Sequence, residues 1–269
     1  MIVRTLRAIP TLLRVGVAET VAYRAEFLVW TLTTTVPLIM LAFWHSVSRY
    51  GVFAGYTSDD FTAYFLANLI VRQLTSNWVG WQMSEEIRTG AMSMRLLRPV
   101  HPFVALTMSQ IAAIPFRSLI AIPVAVILLA SSGSHALTTD PVQLALLVPS
   151  LVLAWLVNFG LMFAMGACAF WITQIFAVAN FYFGLYMLLS GYMMPLDVLA
   201  SKQPWVARVA YWTPFPSMVD APIRLLIKHI DHVEAVKLVA TQAAWAAGCI
   251  AFAIWIWRRG VRHFEAVGG

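Results

Sequence analysis

His229, Asp231, His232 and Glu234 are the one group of side chains here with the chemistry of a metal site, because the two imidazoles stand three residues apart and can share a helix face. A short run of mixed charge is ordinarily a solvated surface, and the cluster is read as that, with no metal expected. Phosphoryl chemistry has no carrier either. A phosphate-binding loop needs a glycine ahead of Lys-Ser or Lys-Thr, and the three lysines, Lys202, Lys228 and Lys237, stand in SKQ, IKH and VKL. Neither GxSxG nor HExxH occurs. Cys168 and Cys249 fall in apolar runs without a CxxC pair and read as small packing residues.

What remains is charge placed where charge is costly. Arg72 falls near the middle of an apolar run, and Asn68, Arg72 and Thr75 share one face of a helix through it. A central arginine costs about 2.5 to 3.5 kcal/mol on insertion scales, so this face should meet protein or water rather than lipid. The alternative is a shifted run from which Arg72 snorkels to the interface. Arg117, between Pro115 and Pro123, is less telling, because its run can begin later.

The elements that would carry these residues follow from composition. The 269 residues are 61% hydrophobic and 11% charged, with a mean hydropathy of +0.77. A soluble domain carries about 25% charged residues, so the chain reads as an all-α integral membrane protein. Six apolar runs, at about 25–45, 61–81, 104–130, 142–173, 175–195 and 237–257, are each long enough to span as a helix. Gln174 marks a tight turn between the fourth and fifth. Two stripes of small residues, Gly160 with Ala164 and Cys168, and Ala240 with Ala244 and Gly248, suit close helix packing.

Residues 1–24 alternate apolar residues with Arg4, Arg7, Arg14 and Arg24, which suits an amphipathic helix on the membrane surface, broken in two by Pro10. The alternative is a polar leader. The net charge of +6 sits at the ends of apolar runs rather than in a stripe with interleaved aromatics, so anionic lipids, not nucleic acid, are the expected partners. With the N-terminus inside, ten cations fall on the cytoplasmic side and six outside, so both termini read as cytoplasmic.

The stretch 191–236 is too apolar for free solution and too interrupted for a span, because Pro195, Pro204, Pro214 and Pro216 break any helix well short of 20 residues. It reads as two half-helices dipping into the outer leaflet, with Gly191, Pro195, Trp205, Trp212 and Pro214 forming an extracellular lid. An interfacial loop anchored by Trp205 and Trp212 is the alternative.

The cytoplasmic stretch 84–102 is the most informative. SEEIRTGAMSMRLLRPVHP sets Gly90 ahead of Leu96-Leu97-Arg98-Pro99 and resembles the loop between spans two and three of type-2 ATP-binding-cassette (ABC) export permeases, in particular their small six-span group. LLSGYMMPLDVLASKQPWVARVAYWTPFPSMVDAPIRLL and the closing RRGVRHFEAVGG resemble the same group. The resemblance implies a single permease domain over 1–269, working as a dimer of like or related chains in a bacterial inner membrane. Two cytoplasmic ATPase subunits would hold the ATP and Mg and drive export of a hydrophobic or amphipathic molecule. It also implies a coupling helix in the loop, with Glu85, Glu86, Arg88, Gly90, Arg95, Leu97, Arg98 and Pro99 meeting the ATPase. The pathway implied between the permeases is lined by Asn68, Arg72, Thr75, Asn180, Tyr182, Tyr186, Met187 and Ser190. Two other readings compete: a lipid-modifying membrane enzyme, and an ion-coupled transporter. The first lacks a catalytic set at one membrane depth. The second lacks a carboxylate carrier, since every Asp and Glu lies in a loop or near a span end.

Overall fold

The computed structural model describes residues 2–22, 36–49, 51–132, 137–227 and 230–264. Within them the regular structure is helical, and no β-strand occurs. Helix α1 is Ile2–Ala22 and α2 is Val36–Ser48. Helices α3 (Ser58–Thr75) and α4 (Val79–Arg88) are separated by a break, and α5 (Ala91–Leu96) is a single short segment. Then come α6 (Pro102–Ala112), α7 (Ile114–Ser132), α8 (Pro141–Ala167) and α9 (Phe176–Leu189). The rest comprises α10 (Leu196–Lys202), α11 (Pro204–Tyr211), a 3₁₀ turn at Phe215–Met218, α12 (Asp220–Ile227) and α13 (His232–Gly260).

Helices α8 and α13 have 27 and 29 residues, and at about 1.5 Å per residue each exceeds the ~30 Å of a bilayer core. Both begin on an aspartate cap: Asp140 accepts the Val142 N–H at 2.8 Å, and Asp231 accepts that of Val233. The fourth and sixth runs are therefore found as spanning helices. The third is a pair bent by 50°, with Pro123 inside its second part, where the ring removes one backbone donor and crowds the carbonyl a turn earlier. As expected, the chain leaves helix between Trp171 and Ile175, around Gln174.

Three expectations change. Helix α1 runs unbroken through Pro10, since one missing donor leaves the neighbouring bonds intact, and α1 packs along α6 with Gly16 against Ala112. The second run does not continue to 81. It ends at Thr75, and Ser76 turns to extended backbone; Asp59, Asp60 and Arg72 also lower its hydropathy. The fifth run is helical for only 14 residues, about 21 Å, because Gly191 and Pro195 end it early. Most of the first run lies outside the described residues, which resume at Val36.

Helix α8 is the hub, packed by α13 along one side and by α4 and α12 on others. Its ladder Trp155, Phe159 and Phe163 meets Phe103 of α6 and Trp257 of α13 at ring distances of 5.0 to 5.5 Å. Gly80 and Gly166 let α4 cross α8, since a Cβ on Gly166 would lie 2.7 Å from the Gly80 carbonyl oxygen. The first small stripe lies in a helix seam, with Gly160 against Cys249. The second does not: Ala240, Ala244 and Gly248 are exposed, and Ala246, Cys249 and Ala253 make the seam instead. Its four-residue spacing is right but its phase is one face out.

Candidate functional site

At one end of the bundle α4 and α5 meet at Gly90, whose φ of +77° is left-handed backbone that favours glycine. Met92 is fully buried and pins α5 to the bundle, while Met94 and Leu97 stand 65% and 80% exposed. Arg98 and Pro99 are exposed beside them. Glu85 and Arg88 form a bidentate surface pair at 2.7 to 3.1 Å. Glu86 and Arg95 also pair in a bidentate fork, but their side chains are only 17% and 19% exposed. The sequence reading treats all four charges alike as outward contacts. The structure separates an inward pair from an outward one, because α4 places consecutive residues about 100° apart.

From that inward pair a chain of hydrogen bonds climbs toward the break in α3–α4. Gln82 donates to Glu86 at 3.3 Å and accepts from Gln110 of α6 at 3.0 Å, and the Gln110 carbonyl side-chain oxygen accepts the Trp78 N–H at 2.9 Å. Arg117 donates to the Gln110 backbone carbonyl near the end of α6, so it serves the helix terminus. Within the break Asn77 is 4% exposed, and neither of its amide atoms has a partner among the described residues. On the other side of the break the free carbonyl of Thr75 accepts from Asn158 of α8 at 2.9 Å, and Tyr182 of α9 donates to the Asn158 oxygen at 2.8 Å.

Tyr182 stacks near Tyr186, and the Arg72 guanidinium lies 4.7 Å from the centre of the Tyr192 ring. Arg72 is half-buried, its Nε has no partner, and no carboxylate pairs with it among the described residues. The face Asn68, Arg72 and Thr75 thus meets protein, as expected, with Tyr182, Tyr186 and Ser190 joining it. Asn180 and Met187 do not: both are exposed on the opposite side of α9. Asn158, Gln82, Gln110 and Tyr192 were missed. Each is an ordinary residue in an apolar run, and only the fold brings it beside a helix break.

At the far end Gly191 has a φ of +87°, and its carbonyl accepts from Tyr64 at 2.7 Å. Asn68 donates to the Tyr192 carbonyl at 3.1 Å. Helices α10 and α11, split at Pro204, are two short helices, as the prolines of this stretch suggest. Trp44 holds the Met193 carbonyl at 3.0 Å and Tyr56 holds Asp197 at 3.2 Å, while Trp205 and Trp212 stand 67% and 80% exposed. Pro195 caps α10, and Pro214 opens the 3₁₀ turn.

Asp220, in this return segment, is 4% exposed, and burial pushes its carboxyl up to about 6 against the lowering pull of Arg224 and the Leu196 N–H. Its place between spans is as read; its burial is not legible from a run such as MVDAPIR. The metal-like cluster is otherwise engaged: Asp231 caps α13, His232 meets Asp140 at 2.6 Å and Glu234 meets Arg224 at 2.6 Å. His229 lies outside the described residues. Among those described, no group of three metal-binding side chains occurs.

A family model described as ABC-2 family transporter protein matches residues 28–268, and the chain belongs to that family. No curated protein matches it. It is therefore a multi-pass membrane protein, the membrane part of an ABC transporter, whose family works with an ABC ATPase.

Proposed function

We propose that the chain is the six-span permease subunit of an ABC exporter, with both termini cytoplasmic, and that it moves a hydrophobic or amphipathic molecule outward as a dimer. In this reading separate ATPase subunits supply ATP, Mg and hydrolysis, and the membrane is a bacterial inner membrane. The observation that carries it is the continuous set of contacts from Arg95–Glu86 through Gln82 and Gln110 to the break at 76–78, and from Thr75 through Asn158 to the tyrosines around Arg72. A push on α5 is passed by the Glu86–Arg95 strut to α4, and the break is where α4 can turn against α3. Asn77, buried without a partner here, would gain one when that angle changes.

In this account Leu97, Arg98, Pro99, Met94 and the Glu85–Arg88 pair form the face that meets the ATPase. Glu86, Arg95 and Gly90 hold that face in place. Arg72, Asn68, Thr75, Tyr182, Tyr186 and Ser190 lie at the pathway, and 191–214 closes its outer end. The test is reconstitution with the partner ATPase in nanodiscs. Leu97→Asp with Arg98→Glu should abolish permease-stimulated hydrolysis while the chain still inserts and melts normally. Undiminished stimulation would remove the docking assignment.

A further inference from the structure

At the loop-bearing end of the bundle an open cavity of about 530 Å³ is lined by Trp255, Ile256 and Arg259 of the last turns of α13, Arg262 and His263 of the 3₁₀ turn Val261–His263 that follows it, and Trp171 just after the 3₁₀ turn Cys168–Phe170. We propose that this cavity binds the headgroup of one anionic phospholipid, with the acyl chains running up the outer face of α13. The inference stands on the fold class and does not require the coupling mechanism above.

Three observations carry it. First, the charge is one-sided. Among the described residues Arg259, Arg262 and His263 line the cavity, no carboxylate does, and none of the three is in an ion pair. A neighbouring groove of about 500 Å³ shares Arg262 and adds Arg258, which raises the local potential further. Second, the remaining walls suit a lipid rather than a free ion. Trp171 and Trp255 are 46% and 50% exposed, and indoles sit at the headgroup level of a bilayer. The Arg259 guanidinium lies 4.7 Å from the centre of the Trp255 ring, which fixes its position while its N–H groups stay available. Third, the cavity continues into an apolar track. Phe252 is 46% exposed and stacks on Trp255 at 5.8 Å, one turn further into the span. A phosphate at the arginines and hydrocarbon along Phe252 match a phospholipid in both chemistry and direction. Basic pockets between transmembrane helices bind anionic headgroups on this principle.

The test is native mass spectrometry of the purified chain with phosphatidylglycerol or phosphatidylcholine added. The parent should retain phosphatidylglycerol preferentially. Arg259→Gln with Arg262→Gln should weaken that retention about thirtyfold, at about fivefold per arginine near a membrane surface. A control removing the same charge elsewhere, Lys202→Gln with Arg208→Gln, should leave it unchanged. Trp255→Phe, which keeps charge and apolar area but weakens the cation–π contact, should weaken retention by a smaller factor. Unchanged melting of the double arginine variant would show that lost retention is not lost folding. Equal retention by parent and double arginine variant overturns the proposal, as does equal loss in the charge control. Competition by sn-glycerol 3-phosphate at lipid-like concentration would mean a free-phosphate site and overturn it too. Loss of ATPase association with lipid retention intact would assign the arginines to a protein contact instead.

Discussion

Gly191→Ala probes the joint between α9 and the return segment that begins at Gly191. The residue sits at φ +87°, and a Cβ there would lie 2.5 Å from the Tyr64 hydroxyl oxygen and 3.3 Å from the Asp220 Cβ. Left-handed backbone costs a non-glycine residue about 1 to 2 kcal/mol. Pushing the Tyr64 hydroxyl away also breaks its 2.7 Å bond to the Gly191 carbonyl, and a buried group left unpaired costs about 1 to 3 kcal/mol. The expected loss is roughly 3 kcal/mol, a fall in melting temperature on the order of 10 °C. The assay is thermal melting in nanodiscs, made diagnostic by a double-mutant cycle. Tyr64→Phe removes the atom that the new methyl meets, so Gly191→Ala should cost only about 1 to 2 kcal/mol in that background. Equal costs in both backgrounds, or a Gly191→Ala variant that melts like the parent, would refute the steric argument.

Other consequences are open to the same kind of measurement. Arg95→Ala should destabilise by about 1 to 3 kcal/mol, since it removes a part-buried bidentate pair, whereas Arg88→Ala should change melting by at most about 1 kcal/mol. Similar effects from both would undo the distinction between strut and surface. Asp220 binds its proton more tightly folded than unfolded, so stability should rise as pH falls from about 7 toward 4, by up to roughly 3 kcal/mol, and Asp220→Asn should flatten that slope. Stability falling over that window in the parent alone would contradict its burial. Arg72→Leu should impair transport more than insertion, and normal transport would return Arg72 to a snorkelling role.

Much of this molecule was legible in its residues, and the exceptions have physical causes. Long apolar runs, as in α8 and α13, fold as read, α8 even across the interior Pro149. So does the split at Pro204, where Gln203 leaves helical backbone ahead of the proline and Pro204 takes the first position of the next helix. The end of α3 at Thr75 was not legible. No proline or glycine marks it, and it depends on Asn158 and Gln110, 81 and 33 residues beyond Asn77, taking up backbone groups at the break. Helical phase was the other blind spot. The outward turn of Asn180 and Met187, the inward turn of Glu86 and Arg95, and the exposed Ala240 stripe all depend on which face a neighbouring helix covers. In a membrane that choice is made by packing rather than by hydrophobicity, because lipid is as apolar as leucine.

Site-specific photo-crosslinking in cells tests the central claim most directly. A photoreactive residue replacing Leu97 should give an ATP-binding subunit adduct, strengthened or weakened by ATP, while the same probe replacing the equally exposed Trp212 at the other end should give none. An adduct to that subunit from position 212, or none from position 97 with the transporter assembled and active, would contradict the account.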